Sequence, residues 1–309
     1  MTTRTPTPPV ALTIAGSDSG GGAGIQADLR AFAATGAFGT SVVTAITAQN
    51  TRGVTDVHVV PRATVATQLD AVLDDFPVGA VKTGMLATSD LVGLVADAAA
   101  AGRLPRLVVD PVLVSATGHR LLDEDALATY RDRLLPHAAV VTPNLPEASA
   151  LLDRPVVDLD DARTAAADLA DTGARVVVVK GGHLDADEAV DVVIVAGEEH
   201  LLSAPRVATA NLHGTGCTFA AATAGALACG LDELAAVAHA KAYVTRCIER
   251  AADWRLGGGA GPLDHLGPAP ESGRPTLVAG ERPTPAADGS PAVPAGGSPA
   301  GQAGGNGPV

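Results

Sequence analysis

Aromatic side chains and basic surface are both scarce in this sequence of 309 residues. Phe, Trp and Tyr together make up 2% of the chain, and the formal net charge is −13. Proteins that bind nucleic acids stack bases on aromatic rings and neutralise phosphates with Lys and Arg, so the composition argues against a nucleic-acid partner. A small anionic ligand is not excluded, because backbone amides at a helix N-terminus bind phosphate whatever the net charge.

Cysteines and strongly apolar runs are also few. The chain has Cys217, Cys229 and Cys247 without a CxxC pair, which argues against a disulfide framework, and its eight dispersed histidines disfavour a zinc site. The longest uncharged stretch, Val207–Leu231, is rich in Ala, Gly and Thr and too weakly apolar for a membrane span. The N-terminus lacks the apolar region of a signal peptide. We therefore expect a cytoplasmic protein without a membrane partner.

Short apolar runs alternate with amphipathic helical windows along most of the chain. This alternation predicts an α/β fold in which helices cover both faces of a mostly parallel sheet. The predicted strands are Ala11–Ala15, Ser41–Ala48, Ala80–Lys82, Leu107–Asp110, Ala139–Thr142 and Val176–Lys180, followed by a hairpin of Asp191–Val195 and His200–Ser203. The predicted helices are Ile25–Ala34, Thr64–Asp75, Asp90–Ala101, Asp125–Leu135, Asp160–Thr172, Cys217–Cys229 and Leu231–Ala252.

The composition changes near the C-terminus. Residues 267–309 contain 10 Gly and 9 Pro and no aromatic residue, a composition that cannot bury enough apolar surface to offset the entropy of ordering. We therefore predict a flexible N-terminus at residues 1–10, one α/β domain at 11–266 and a disordered tail at 267–309.

Two glycine-containing segments precede predicted helices. Gly16–Gly24 follows the first strand, and its glycines let the backbone turn tightly and approach a ligand, although a plain Gly-rich turn has the same pattern. Asp28, one turn into the next helix, could reach a ligand hydroxyl or simply stabilise the helix start.

The second segment, Asn211–Cys217, would present consecutive amides at a helix N-terminus as an anion hole. There Cys217 is either a thiol whose pKa the helix dipole lowers, available as a base, or a small buried hydrophobe.

Polar side chains also follow several predicted strands. Asp110, Asn144 and Glu147 lie where ligands gather in open α/β sheets, and oxygen ligands in small number suit Mg²⁺ held partly through phosphate oxygens. Taken singly, each of these residues could be only a turn former.

Lysine is rare, with 3 residues against 18 Arg, and both Lys82 and Lys180 fall at strand ends, where an ammonium suits triphosphate oxygens. The third, Lys241, lies in the last helix and is predicted to be a solvated surface residue.

Seven segments occur in one order along the chain: ALTIAGSDSGGGAGIQADL, TAQNTRGV, KTGML, VVDPV, TPNLPEA, VVVKGGH and HGTGCTF. This set closely resembles the hydroxymethylpyrimidine/phosphomethylpyrimidine kinases of thiamine biosynthesis, which are members of the ribokinase superfamily. The resemblance extends from about Ala11 to Leu266. It implies a ribokinase-like three-layer α/β/α sandwich that phosphorylates 4-amino-5-hydroxymethyl-2-methylpyrimidine with MgATP, first to the monophosphate and then to the diphosphate.

The resemblance also implies roles for individual residues. Cys217 matches the catalytic cysteine, which takes the proton from the attacking hydroxymethyl group, and it follows the anion-hole residues Gly214, Thr215 and Gly216. The residues matching pyrimidine-binding positions are Gln49, Gly16, Asp28, Met85 and Val112. Those matching positions around the ATP phosphates are Lys180, Asn144 and Thr215, and the Mg²⁺ positions are Asp110 and Glu147.

Two alternatives remain at the level of sequence. Pyridoxal or pyridoxine kinases of the same superfamily also phosphorylate a ring with a hydroxymethyl group, and some carry the same GTGC motif. Gln49 favours the pyrimidine, because its amide offers a donor and an acceptor to an aminopyrimidine edge. The second alternative is a non-catalytic pyrimidine-binding protein on the same scaffold. The resemblance further implies a homodimer.

Overall fold

A computed structural model describes residues 6–113, 124–182, 187–267 and 277–279. Ten strands form one sheet in the order β10-β9-β8-β7-β6-β5-β4-β1-β2-β3. The pairs that join β2 to β7 are parallel, whereas β3, β8, β9 and β10 are added antiparallel. The strands are β1 Val10–Asp18, β2 Phe38–Asn50, β3 Gly53–Val59, β4 Val78–Thr83, β5 Val108–Val109, β6 Val140–Val141, β7 Val176–Val179, β8 Glu188–Val195, β9 Glu198–Pro205 and β10 Leu277–Ala279.

Eight α-helices connect and cover the strands in the described part of the chain. They are α1 Gly24–Thr35, α2 Arg62–Leu73, α3 Ser89–Ala100, α4 Glu124–Thr129, α5 Leu145–Leu152, α6 Leu159–Ala170, α7 Thr215–Ala228 and α8 Glu233–Ala251. After α4 the backbone continues as a π turn at Tyr130–Leu134 and a 3-10 turn at Leu135–His137. Within the same residues, no helix combines the length and apolarity that crossing a membrane requires.

The sheet separates two apolar cores, because successive strand residues point to opposite faces. Val109, Val141 and Val177 belong to the core under α3 and α6, whereas their neighbours Val108 and Val140 belong to the core under α1, α7 and α8. The central strands are therefore buried on both faces, which explains their unbroken valine runs. The predicted three-layer α/β/α architecture is confirmed.

Three elements were missing from the sequence prediction. β3 is a half-exposed antiparallel edge strand with alternating polar residues and lacks an apolar run. Helix α5 begins directly after Asn144, where the two prolines of TPNLPEA suggested only a turn. Strand β10, Leu277–Ala279, pairs antiparallel with β9, so this part of the tail differs from the disordered segment predicted at 267–309. Apart from Gly267 and these three residues, that tail lies outside the described residues.

Candidate active site

One cavity of about 800 Å³ opens at the carboxyl ends of the parallel strands. This is the edge where loops following the strands converge in an open α/β sheet, so distant segments of the chain meet there. Its walls include all but one of the predicted site residues: Gly16, Gln49, Met85, Asp110, Val112, Asn144, Glu147, Lys180, Gly214, Thr215, Gly216 and Cys217. The exception is Asp28.

Asp18 organises the first glycine-containing loop. Its Oδ1 accepts a hydrogen bond from the Gly20 amide at 2.8 Å, and its Oδ2 accepts from the amides of Gly22 at 3.1 Å and Ala23 at 2.8 Å. Nε2 of His213 lies 2.9 Å from the same Oδ2. Burial opposes ionisation of Asp18, but the bonds from His213 and the backbone outweigh it and lower the pKa of the carboxyl. This side chain therefore fixes the loop and connects it to the segment that precedes α7.

Close backbone approaches within the first glycine segment and between it and the second leave no room for side chains. Gly214 has φ of +85°, and a Cβ placed on it would lie 1.9 Å from the carbonyl oxygen of Gly22. Gly24 has φ of +58°, and its Cβ would lie 2.4 Å from the carbonyl oxygen of Gly16. Glycine is required at both positions for conformation and for space.

The N-terminus of α7 faces the cavity without a side-chain cap. Gly214 occupies the N-cap position, and the Thr215 hydroxyl donates to the Leu212 carbonyl at 2.7 Å instead of capping the helix. The first amides of a helix have no partner within it and carry the positive end of its dipole. A Cβ on Gly216 would lie 3.2 Å from Nζ of Lys180, so this end of the helix is close to that lysine. The arrangement can stabilise a phosphoryl group.

The ionisation of Cys217 bears on the two interpretations that its sequence context leaves open. Burial raises the pKa of this thiol to about 11, and the negative charges of Asp110 and Asp28 act in the same direction. The Lys82 ammonium and a hydrogen bond from the Gly24 amide lower it but do not compensate. Of the two interpretations left open by the sequence, the raised pKa favours the buried, neutral thiol in the free protein, because desolvation outweighs the groups that lower the pKa.

Asp110, Lys180 and Glu147 form the charged part of the cavity. Nζ of Lys180 donates to Oδ1 of Asp110 at 3.2 Å, while Oδ2 of Asp110 is buried without a hydrogen-bond partner. Burial raises the pKa of Glu147 to about 7, the nearby Lys180 ammonium lowers it, and Asp110 raises it. Among the described residues, no group of three or more His, Cys, Asp and Glu could hold a metal ion. A cation here would need oxygen ligands from phosphate in addition to the two carboxylates.

Asn144 serves first as a helix cap. Its Oδ1 accepts from the Glu147 amide at 2.8 Å, and Oε2 of Glu147 accepts from the Asn144 amide at 2.8 Å. This reciprocal pair is a capping box, whose signature of Asn followed three residues later by Glu could have identified α5 from sequence. The cap leaves the NH₂ end of the Asn144 amide for a ligand.

Asp28 and Lys82 form a buried pair at the cavity floor, where Lys82 lines the cavity and Asp28 lies behind it, and this bears on two expectations. Both side chains are 0% exposed, and Nζ of Lys82 donates to Oδ1 and Oδ2 of Asp28 at 3.0 and 2.9 Å. The Thr13 hydroxyl donates to the same carboxylate at 2.6 Å. Asp28 is thus saturated by protein groups and does not line the cavity, so this geometry does not support direct contact with substrate. The Lys82 ammonium is likewise engaged by Asp28 and is not a free partner for phosphate.

Replacing Lys82 by Met should destabilise the protein by about 3–5 kcal/mol, because Asp28 would remain as an uncompensated buried charge. The double variant Asp28→Leu/Lys82→Met should recover most of that loss, since apolar side chains of similar volume remove both charges. Urea unfolding of the two variants measures the difference. Equal stability of the single and double variants would contradict the pairing.

His213 is a site residue that the sequence reasoning missed. It lines the cavity, and its Nε2 lies 3.4 Å from Nε2 of Gln49 as well as 2.9 Å from Asp18. The Thr47 hydroxyl donates to Oε1 of Gln49 at 3.2 Å and orients the amide. His213 directly precedes the GTGC motif, and this position is the sequence signal that places it at the site.

Comparison with known proteins supplies independent evidence. The family model for phosphomethylpyrimidine kinase matches residues 18–264. The hydroxymethylpyrimidine/phosphomethylpyrimidine kinase of Streptomyces coelicolor is 51% identical over 267 residues, which cover 86% of this chain and 98% of that protein. The thiamine biosynthesis bifunctional protein ThiED of Geobacter sulfurreducens is 48% identical over 82% of this chain, and the Arabidopsis thaliana thiamine biosynthetic bifunctional enzyme TH1 is 48% identical over 84%. This chain spans about half the length of these two bifunctional proteins, 52% and 50%.

Solved structures agree in fold. The ADP complex of Bacillus subtilis pyridoxal kinase has a TM-score of 0.78 at 36% identity, covering 84% of this chain and 98% of that one. The phosphomethylpyrimidine kinase of Clostridium difficile has a TM-score of 0.68 at 38% identity, covering 77% and 98%. The resemblance predicted from the sequence motifs is thereby confirmed: this chain belongs to the phosphomethylpyrimidine kinase family.

Proposed function

We propose that this chain transfers the γ-phosphoryl group of ATP to 4-amino-5-hydroxymethyl-2-methylpyrimidine and then to the resulting monophosphate, in thiamine biosynthesis. Membership of the family and the names of relatives that span the same length support this activity. The observation that carries the proposal is that one cavity holds the Cys217 thiol, the open N-terminus of α7, the Lys180–Asp110 pair and Gln49. A base, an anion hole, a phosphate-binding cation and a pyrimidine-binding amide are thus within reach of one another.

The pyrimidine occupies the side of the cavity formed by β1, β2 and the segments that follow β4 and β5. Gln49 recognises the aminopyrimidine edge, and Gly16, Met85 and Val112 enclose the ring. Gly16 supports this role, since a Cβ there would lie 3.3 Å from the Met85 sulfur and crowd the pocket. Cys217 takes the proton of the hydroxymethyl group during the first transfer. The phosphate that accepts the second transfer is already an anion, so that step needs no base.

ATP lies on the side of the cavity formed by the ends of β6 and β7. The Lys180 ammonium and the NH₂ group of Asn144 bind its phosphates, and the Thr215 and Gly216 amides at the start of α7 stabilise the phosphoryl group in transit. Burial lowers the pKa of the Lys180 ammonium, but the negative charges of Asp110 and Glu147 raise it by more and keep the ammonium protonated. Catalysis therefore rests mainly on positioning and on charge stabilisation.

The residues present fit a magnesium ion. The unpartnered Oδ2 of Asp110 is a buried acceptor that needs a cation, and the Glu147 carboxylate supplies a second oxygen ligand. Mg²⁺ bound there would neutralise charge on the ATP phosphates. Asp110 also holds Lys180, so the same carboxylate aligns the protein's own cation with the phosphates.

Activation by Mg²⁺ should weaken as the pH falls from 8 to 6. The pKa of Glu147 is raised to about 7, so its carboxyl binds a proton through this range and must lose it to bind a cation. The measurement is the Mg²⁺ concentration for half-maximal activity at several pH values. In the Glu147→Gln variant, which keeps the acceptor for the Asn144 amide, that concentration should be higher and should change less with pH, because only the titration of the ATP phosphate would remain. An unchanged pH dependence in this variant would contradict the role of Glu147.

An ADP-release assay with MgATP tests the function directly. Hydroxymethylpyrimidine, its monophosphate and pyridoxal are compared as acceptors under identical conditions. Turnover of both pyrimidine species, with pyridoxal much slower, supports the proposal. Turnover of pyridoxal alone would keep the fold and the chemistry but assign the chain to the alternative, pyridoxal kinase. Absence of turnover with all three acceptors would favour the pyrimidine-binding protein.

The homodimer and the cytoplasmic location stay predictions. Two large apolar side chains on β2, Phe38 and Ile46, are 51% and 54% exposed, and the Phe38 ring stacks on Phe76 with centroids 6.1 Å apart. These two side chains are eight residues apart on the strand and do not form one continuous apolar patch, so the homodimer rests on the resemblance to the family. Analytical ultracentrifugation of the full chain measures the association state.

A further inference from the structure

A second buried ion pair, Asp191 with Lys241, lines the cavity beside the phosphate-binding residues. Lys241 is predicted from the sequence to be a solvated surface residue, but its side chain is 9% exposed and that of Asp191 is 5% exposed. Nζ of Lys241 donates to Oδ2 of Asp191 at 2.9 Å and to the carbonyl oxygen of Ala189 at 2.8 Å. The pair therefore connects α8 to β8 from within the protein.

The carboxylate oxygen of Asp191 that Lys241 does not contact binds the residue that follows Lys180. Oδ1 of Asp191 accepts from the Gly181 amide at 3.0 Å, and this bond is buried. The amide of Lys180 donates to the Pro143 carbonyl at 2.8 Å, so the backbone amides on both sides of the Lys180 Cα are hydrogen-bonded. These bonds fix the direction in which the Lys180 side chain leaves the sheet.

The β7–β8 ladder does not need this pair to set its register. Val176–Val179 pair with Val192–Val195 residue for residue, and Asp191 lies one residue beyond the ladder. At that point the side chain of Asp191, in place of a strand carbonyl, accepts from the backbone of the neighbouring chain segment. Burying two charges has a large desolvation cost, and apolar residues of similar volume often stabilise a protein equally well. Stability alone therefore does not explain an ion pair at this position.

We propose that Asp191 and Lys241 are positioning residues for ATP. Asp191 holds the Lys180–Gly181 peptide so that the Lys180 ammonium stays beside Asp110, and Lys241 neutralises and orients the Asp191 carboxylate. This inference rests on the proposed kinase function and extends it to residues that bind neither the acceptor nor the reacting phosphate. Its consequence is specific, because loss of the Gly181 hydrogen bond should weaken nucleotide binding and leave pyrimidine binding unchanged.

Two double variants separate the hydrogen bond from the charges. Asp191→Asn/Lys241→Gln removes both charges but keeps an oxygen for the Gly181 amide and a donor for Ala189. Asp191→Leu/Lys241→Met removes the charges and the acceptor together and fills the space with apolar atoms. Arg163→Gln is the matched control, because its half-exposed ion pair with Glu199 joins α6 to β9 away from the cavity.

The apolar double variant should raise KM for MgATP about tenfold, the effect of losing one hydrogen bond to a charged acceptor, with KM for the pyrimidine unchanged. The Asn/Gln double variant and the control should stay within about threefold of the unmodified protein. Urea unfolding checks that each variant is folded. An unchanged KM for MgATP in the apolar variant, or an equal rise in both double variants, would overturn the proposal.

Calorimetric titration with MgADP keeps this test independent of the acceptor. The dissociation constant of MgADP should follow the same order as KM, with the weakest binding in Asp191→Leu/Lys241→Met. If the unmodified protein binds MgADP but turns over no pyrimidine, the proposed function fails while the positioning proposal is still measured. Equal binding of MgADP by the unmodified protein and the apolar variant would overturn the positioning proposal alone.

Discussion

Replacement of Cys217 by Ala is expected to slow the first phosphoryl transfer by about 10²–10⁴-fold, the usual contribution of a positioned general base. The second transfer should fall by less than about tenfold, because the monophosphate that attacks is already anionic. Cys217 lies at the third position of α7, where its thiol accepts a hydrogen bond from the Gly24 amide and lines the cavity. Two separate assays, started from the pyrimidine alcohol and from its monophosphate, measure the two effects.

The pH dependence of the first transfer gives the same prediction a second measurement. Burial raises the pKa of Cys217 to about 11, so the free protein holds a neutral thiol near pH 7. If thiolate is the base, the rate should rise about tenfold for each pH unit until the thiol titrates. The Cys217→Ala variant should lose this rise. Equal losses in the two transfers, or a pH dependence that the variant retains, would contradict the role of Cys217 as the base.

The Cys217→Ser variant is the control for packing. Serine retains a small polar side chain at the head of α7, so a loss of activity caused only by an empty space at this position should be much smaller in Ser than in Ala. The two variants should instead be similarly slow in the first transfer, because a hydroxyl is a far weaker acid than a thiol and a poor proton acceptor without its own base. Thermal unfolding of both variants checks that the helix start is intact.

The layers of this fold were predictable because they depend on local patterns. Runs such as Val176–Val179 are apolar on both faces, and only a central strand of a covered sheet accommodates them. Strand β3 was not predictable by that criterion, since an edge strand such as Gly53–Val59 is half exposed and keeps polar residues. Helix α5, in contrast, was predictable from the sequence. Its start signal, the Asn144–Glu147 capping box, is local and was present in the sequence.

The sequence predicted which residues line the site more accurately than it predicted their ionisation and their hydrogen-bond partners. Motif spacing located the residues that line the cavity, because the carboxyl ends of parallel strands must meet. It did not identify partners that come from distant segments. Asp28 and Lys82 are 54 residues apart, and Asp191 and Lys241 are 50 apart, yet each pair is buried together. The same long-range burial raises the pKa of Cys217, which a helix-dipole argument alone could not predict.

The backbone at the start of α7 should be the least tolerant part of the site. In Gly214→Ala, the new Cβ would occupy a position 1.9 Å from the Gly22 carbonyl oxygen and would also require φ of +85° in an alanine. The contact is with backbone that Asp18 holds, so neither segment can move without opening the loop. We expect the first transfer to fall by about 10²–10³-fold, as it does when anion-hole donors are lost. Steady-state rates of both transfers measure this.

The opposite end of α7 offers a matched control. Gly230 has φ of +94°, similar to that of Gly214, but a Cβ placed there meets nothing within 4 Å. Gly230→Ala therefore carries the conformational cost alone, about 1–2 kcal/mol of stability, and should leave both transfers unchanged. If Gly214→Ala proved as active as Gly230→Ala, the close approach of the two loops would not be what holds the α7 amides in place. A selective loss in Gly214→Ala would instead mean that the catalytic amides depend on backbone contact between segments almost 200 residues apart, which only a glycine at each meeting point allows.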